Sequence, residues 1–206
     1  MKIEIRSDSV HLSGYVNAVE RHSAVLPQRV CRAALGDFVE VIRSGTFAES
    51  LKRNPDVALR FNHERTVADS VELREDNIGL HAEATVSDAE IVRAAREHKL
   101  TGWSFGFTNP RDEWSEPDEK GVYTRSISSL DLVEVSILTK RPAYPATSVE
   151  VRDGEAQEYE YRQLEEETEV EDLTTDLEPE KEAIKSTMDV KRAELDLLNL
   201  TKWEEK

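Results

Sequence analysis

The sequence predicts a mainly β fold with a few helices, of the α+β class, on three observations. Short apolar runs alternate with polar residues at a period of two along most of the first 150 residues. Only two segments in that stretch carry a helical pattern. Strands and helices do not alternate regularly, which excludes a doubly wound parallel sheet and favours a barrel or folded sheet with attached helices.

The elements follow in order. Ile3 and Ile5 alternate with Glu4 and Arg6, and Val10 to Val19 reads as a second strand. Thr46 to Arg53 predicts a short helix with Phe47 and Leu51 on one side. Val57, Leu59 and Phe61 share one face of a strand, and alternation carries His63 onto that face. Val71 and Leu73, the turn Glu75-Asp76-Asn77-Ile78-Gly79, and Leu80, Ala82, Ala84 and Val86 predict a hairpin. Ser87 and Glu90 fit a capping box, with a helix running to about Lys99. Trp103, Phe105 and Phe107 fall on one face of a strand that gives way to a charged loop after Pro110. Val122 to Ile127 and Leu130 to Thr139 are two further strands. Residues 20 to 35 carry no pattern that assigns them a role, and Cys31 is expected as a small buried residue.

The charge is uneven. Of 43 acidic and 27 basic residues in 206, the segment from Val151 onward holds 19 acidic and 8 basic. It also lacks Phe and has a single glycine, Gly154. This predicts a folded domain over 1–152 and an acidic linker over 153–178, too poor in apolar area to fold alone. Ile184, Met188, Lys191, Leu195 and Leu198 lie at helical spacing, so 179–206 reads as a helical extension. Its apolar stripe suits packing on its own domain, a solvated tail, or self-association and partner binding. The net charge of -16 argues against a nucleic-acid binder and against docking on anionic membranes. One cysteine permits no intramolecular disulfide. The opening MKIEIRSDSV predicts no secretory signal, and no run approaches the roughly 18 apolar residues of a spanning helix.

Three polar residues stand out. Gly102-Trp103-Ser104-Phe105-Gly106 has the spelling of a nucleophile elbow, but no helix pattern follows and no histidine comes after it. Read as a strand, it puts Gly102, Ser104 and Gly106 on the face opposite Trp103 and Phe105, open to a close backbone approach. His63 is the histidine best placed for an enclosed site; alone, it also fits a satisfied core residue. Glu134 lies in a strand apolar on both faces, where a carboxylate needs a partner: an arginine in a structural pair, or a histidine. A serine nucleophile requires a base, and the base a third group to orient it. His63, Ser104 and Glu134 supply those types on three separate strands.

Five motifs occur in order: Phe38-x-Glu40-x-Ile42-x-x-Gly45-x-Phe47, Leu59-x-Phe61-Asn62-His63, Gly102-x-Ser104-x-Gly106-Phe107, Leu132-x-Glu134-Val135-Ser136 and Arg141-Pro142-Ala143-Tyr144-Pro145. The chain thereby resembles the prohead serine proteases of tailed bacteriophages over about residues 10 to 150. The resemblance implies a β-barrel with helices like that of the herpesvirus maturation protease. It implies His63 as the base, Ser104 as the nucleophile and Glu134 as the third member. Arg141 matches the place of an arginine that supports the oxyanion, alongside backbone near Gly102 and Gly106. The implied activity is endoproteolysis of scaffold, of the scaffold-like extension of the major capsid protein, and of the protease itself. It would take place inside assembling proheads in the host cytoplasm, without a cofactor or metal. A catalytically silent capsid- or scaffold-associated protein, and a serine esterase or amidase of small molecules, are the competing readings.

Overall fold

The computed structural model describes residues 1–68, 71–139, 147–152, 155–163 and 167–174. The chain divides into two units, Met1–Glu171 and Asp172–Lys206. The expected helix over 179–206 lies outside the described residues. The described elements are β1 (Lys2–Ile5), β2 (Val10–Ala18), β3 (Phe38–Ile42), α1 (Thr46–Arg53), β4 (Ala58–Phe61), β5 (Arg65–Ala68), β6 (Glu72–Glu75), β7 (Gly79–Val86), α2 (Ala89–Arg96), β8 (Gly102–Trp114), β9 (Tyr123–Leu138), β10 (Thr147–Arg152), β11 (Glu155–Gln163) and β12 (Glu169–Asp172).

The strands form two sheets, in the orders β12-β1-β2-β7-β6 and β10-β11-β8-β9-β4-β5, with β3 also paired to β9. No closed barrel forms among the described residues, which corrects the barrel expectation. Instead one apolar cluster draws on both sheets, with Ile3, Ile5, Leu12 and Leu80 from the first and Leu59, Phe105, Leu132, Val135 and Ile137 from the second. Face-to-face burial serves the apolar faces without closure. The hairpin over 72–86 forms as the sequence implies, with Glu75 opposite Leu80.

β9 organises the second sheet. It takes β8 antiparallel on one side, and β3 and β4 parallel on the other, at its first and last thirds. The two strands expected over 122–139 are therefore one, because Ser129 stays in the ladder opposite Arg111 and a register shift carries the pairing past Ser128 to Ile127 opposite Asp112. β8 likewise runs on to Trp114 where a loop was expected. Asn109 adopts a left-handed φ of 50°, and Pro110 sits within the bulge between Thr108 and Arg111. A bulge is where a strand tolerates a proline that has no N–H to donate.

The helices are set by carboxylates. Glu75 of β6 accepts from the N–H groups of Gly45 (2.5 Å) and Ala48 (2.7 Å) at the start of α1. α2 starts one residue later than the capping box implies: Asp88, not Ser87, is the N-cap and accepts from the Glu90 and Ile91 N–H groups. Its carboxylate is also bound by Arg65 at 2.7 Å, an anchor a serine hydroxyl lacks. The helix stops at Arg96, short of Lys99, and His98 turns left-handed at φ 53°. Residues 20–35 run beside β3, where Leu26, Val30, Cys31, Ala34 and Phe38 make a small second core.

The expected acidic linker is structured in part. β11 pairs antiparallel with β8, and the Glu169 N–H donates to the Met1 carbonyl at 2.9 Å. Composition misled here because two of the charges are buried and paired. Arg125 bonds Glu160 (2.6 and 2.8 Å), Glu40 (3.1 Å) and Asp112 (2.5 Å). Arg162 bonds Glu40 (3.0 Å twice) and Glu160 (2.5 Å). This cluster ties β11 to β3, β8 and β9. Burial disfavours the charge of Glu160, but Arg125 and Arg162 outweigh it and hold the carboxyl below its ordinary value of 4.5. A carboxylate with a depressed folded-state value stabilises the fold above its unfolded-state value and loses that contribution as pH falls through the folded one. Urea unfolding midpoints should therefore hold from neutral pH down to about 4.5 and fall below it. Arg125→Leu, which leaves Glu40 and Glu160 short of a partner, should cost about 3–5 kcal/mol at pH 7 in the same measurement.

Candidate active site

The end of β4 leads into His63. Leu59 and Phe61 point into the core, and the chain then breaks the strand alternation with two left-handed residues, Asn62 (φ 53°) and His63 (φ 64°). Asn and His tolerate that region better than most side chains. Asn62 is pinned there: its Oδ1 accepts from the Thr139 N–H at 2.9 Å and its Nδ2 donates to Thr139 Oγ1 at 3.1 Å. His63 thus leaves the face of Val57, Leu59 and Phe61, where alternation places it, and reaches Glu134 on the opposite face.

Glu134 is 1% exposed and sits on β9 directly between Gly106 of β8 and Ala58 of β4. Its Oε1 accepts from His63 Nδ1–H. The same oxygen accepts from the Ser136 hydroxyl at 3.1 Å, and Ser136 Oγ accepts the His63 backbone N–H at 3.3 Å. Arg60 brings its Nη1 to 2.9 Å from Glu134 Oε2. That contact is an ion pair out of hydrogen-bond alignment, since Oε2 has no hydrogen-bond donor. With Nδ1 donating, Nε2 is the basic nitrogen; it is buried without a hydrogen-bond partner among the described residues.

Ser104 faces the same side. It pairs directly with Ser136, two rungs along from the Gly106–Glu134 pair, with Phe105–Val135 between them. Directly opposed side chains on antiparallel strands lie about 5 Å apart, so Ser104 neighbours the Ser136 that bonds Glu134 and the His63 N–H. Ser104 is 1% exposed, and its hydroxyl donates to the Arg162 carbonyl of β11 at 2.8 Å rather than to His63. The structure therefore joins His63 to Glu134 and sets Ser104 on the same face, with its hydroxyl turned away. Arg141 lies outside the described residues.

Gly106 serves packing, and Gly102 a backbone conformation. A Cβ on Gly106 would fall 2.8 Å from Tyr161 Cε1 and 2.9 Å from Glu134 Cγ. The Tyr161 ring also lies on His63, centroids 4.5 Å apart. Gly102 has a φ of 144°, where side chains are disfavoured, and a Cβ there would meet only Gln163 Nε2 at 3.6 Å. The expectation that both glycines leave a path for substrate is corrected at Gly106, whose missing side chain is the space that Tyr161 and Glu134 occupy.

Sequence reasoning missed Arg60, Ser136 and Tyr161. The period of two places Arg60 opposite Leu59, and Ser136 on the face of Glu134, so both were within its reach. Tyr161 carried no such signal, because it stands in a segment read as linker.

A family model described as caudovirus prohead serine protease matches residues 1–162. Neither a curated protein nor a solved structure matches the chain. Gly106→Ala should destabilise the fold by about 1–3 kcal/mol through overpacking. Gly102→Ala should cost only backbone strain, about 1 kcal/mol. Urea unfolding of the two variants side by side checks the order.

Proposed function

The chain belongs to the caudovirus prohead serine proteases, and we propose that His63, Ser104 and Glu134 are its catalytic triad. The family is a protease of phage capsid maturation, acting within proheads in the host. The observation that carries the residue roles is the His63–Glu134 pair, its Nε2 without a hydrogen-bond partner among the described residues, on the face that bears Ser104. No described helix is long and apolar enough to cross a membrane.

In this reading Ser104 first gives up its bond to the Arg162 carbonyl and turns toward His63. Nε2 takes the hydroxyl proton as Oγ attacks the scissile carbonyl carbon. Glu134 holds the ring through Nδ1 and offsets the imidazolium charge. The leaving amine takes the proton from Nε2, and the acyl-enzyme remains. Water, deprotonated by His63, then releases the second fragment and restores the serine. Backbone N–H groups near Ser104, with Arg141, are the proposed oxyanion donors. The proposed substrates are scaffold, the scaffold-like extension of the major capsid protein, and the chain itself. The proposed boundary of the catalytic domain is the end of β11.

One observation favours a second reading. A nucleophile buried and bonded to a carbonyl is what a catalytically silent capsid-associated protein would show.

Co-expression with the capsid and scaffold proteins of the same phage separates the two readings, followed by intact mass. Wild type should cut at defined sites. Ser104→Ala and His63→Ala should each be slower by at least about 10,000-fold and fold normally, and Glu134→Gln should retain more. Cutting by Ser104→Ala at the wild-type rate would refute the triad, and an inert wild type would support the silent protein.

A further inference from the structure

Resting on the triad reading, we propose that Tyr161 is a positioning residue of this reaction. Its ring is the wall that keeps the His63 imidazole seated on Glu134.

His63 needs such a wall. One hydrogen bond holds its ring, from Nδ1–H to Glu134. Nε2 has no hydrogen-bond partner among the described residues. A ring tied at one nitrogen can pivot about that bond. The residue sits in the turn between β4 and β5, and its side chain keeps 20% of its surface exposed, so a way out lies open. A base misplaced by about 1 Å costs on the order of 100-fold in rate. Tyr161 meets the imidazole and limits the pivot: the ring centroids are 4.5 Å apart, with the planes tilted by 56°.

The sequence makes room for this contact and then fixes it. Tyr161 of β11 stands opposite Gly106 of β8, which stands opposite Glu134 of β9. The middle position of that rung has no side chain, and the tyrosine ring lies over it. A Cβ there would meet Tyr161 Cε1 at 2.8 Å and Cδ1 at 3.0 Å. Tyr161 is buried, and its chain neighbours are pinned on the opposite face of the strand. Glu160 accepts from Arg125, Arg162 donates to Glu40, and Arg162 Nη1 donates to the Tyr161 carbonyl at 2.9 Å. The wall is therefore carried by a stretch of backbone held on both sides of it. An aromatic ring over a strand glycine also stabilises a sheet by packing alone. A positioning role requires more, namely that the ring sets the order of His63 and the rate of the step His63 serves.

NMR relaxation of isotopically labelled histidine in the full chain tests this, with His63→Gln identifying the His63 ring among the five histidines. In wild type and in Tyr161→Phe the ring should be as rigid as the backbone around it, and in Tyr161→Leu it should lose that order. On a fluorogenic peptide spanning a cut site mapped by intact mass, Tyr161→Leu should lose about 100-fold in kcat with KM unchanged. Tyr161→Phe, which keeps the ring, should keep the wild-type rate. Packing on Gly106 alone would move the urea midpoint of Tyr161→Leu and leave ring order and kcat of the folded enzyme as they were. A mobile His63 ring in wild type overturns the proposal. So does a rigid ring or a wild-type kcat in Tyr161→Leu, and so does an equal loss in Tyr161→Phe. If Tyr161→Leu does not fold, Tyr161→Met replaces it, filling the space with a flexible chain that offers no rigid face. The relaxation readout needs no catalysis. Failure of the triad reading shows separately, as unchanged cutting by Ser104→Ala.

Discussion

A carboxylate at the centre of a sheet governs this site. Glu134 stands on β9 with a paired strand on either side, so its neighbours' backbone N–H groups are taken up by the ladder. What satisfies the carboxylate must come from side chains on the adjoining rungs. Register decides which these are. β4 supplies Arg60 beside Ser136, and the turn that follows β4 supplies His63. β8 must supply a glycine at Gly106, because the carboxylate stem and the Tyr161 ring fill the position of its side chain. The residue types of the site follow from the need to bury one charge there.

The same strands serve two purposes because their faces differ. Trp103, Phe105 and Phe107 on one side of β8 are buried in the apolar core. Gly102, Ser104 and Gly106 on the other side border the polar site. The Arg125–Arg162 cluster sits behind this arrangement and fixes β11 against β8. Such a cluster is weak evidence for net stability, since burying its charges costs much of what their attraction returns. Its consequence for the site is positional: it holds the Arg162 carbonyl at the serine hydroxyl.

The places where the sequence was legible, and where it was not, have physical reasons. Strands with one buried face, such as 57–61 and the hairpin over 72–86, were readable because alternation records burial directly. His63 was expected on the wrong face because alternation holds only while φ stays in the β region, and two left-handed residues end it. The strand break expected after Pro110 is missing because a bulge absorbs the proline. β11 was not legible because counting charge ignores partners: Glu160 and Arg162 look solvated in composition and are paired and buried in the fold. His63, Ser104 and Glu134 were legible as residue types suited to one task. Their relation in space was not, because it depends on the register between β4, β8 and β9.

Ser104 has one hydroxyl proton to donate, so its bond to Arg162 and a bond to His63 Nε2 exclude each other. The observed state satisfies the serine and leaves the histidine nitrogen without a hydrogen-bond partner among the described residues. The poised state would satisfy the histidine and leave the carbonyl to another donor. A neutral hydrogen bond contributes about 1 kcal/mol net, so exchanging one for the other alters the balance little. What separates the states is therefore the seating of β11. Its carbonyl is offered to the serine because Arg162 and Glu160 hold the strand from behind. The triad reading thus makes the readiness of the nucleophile depend on an ion cluster on the opposite side of the sheet.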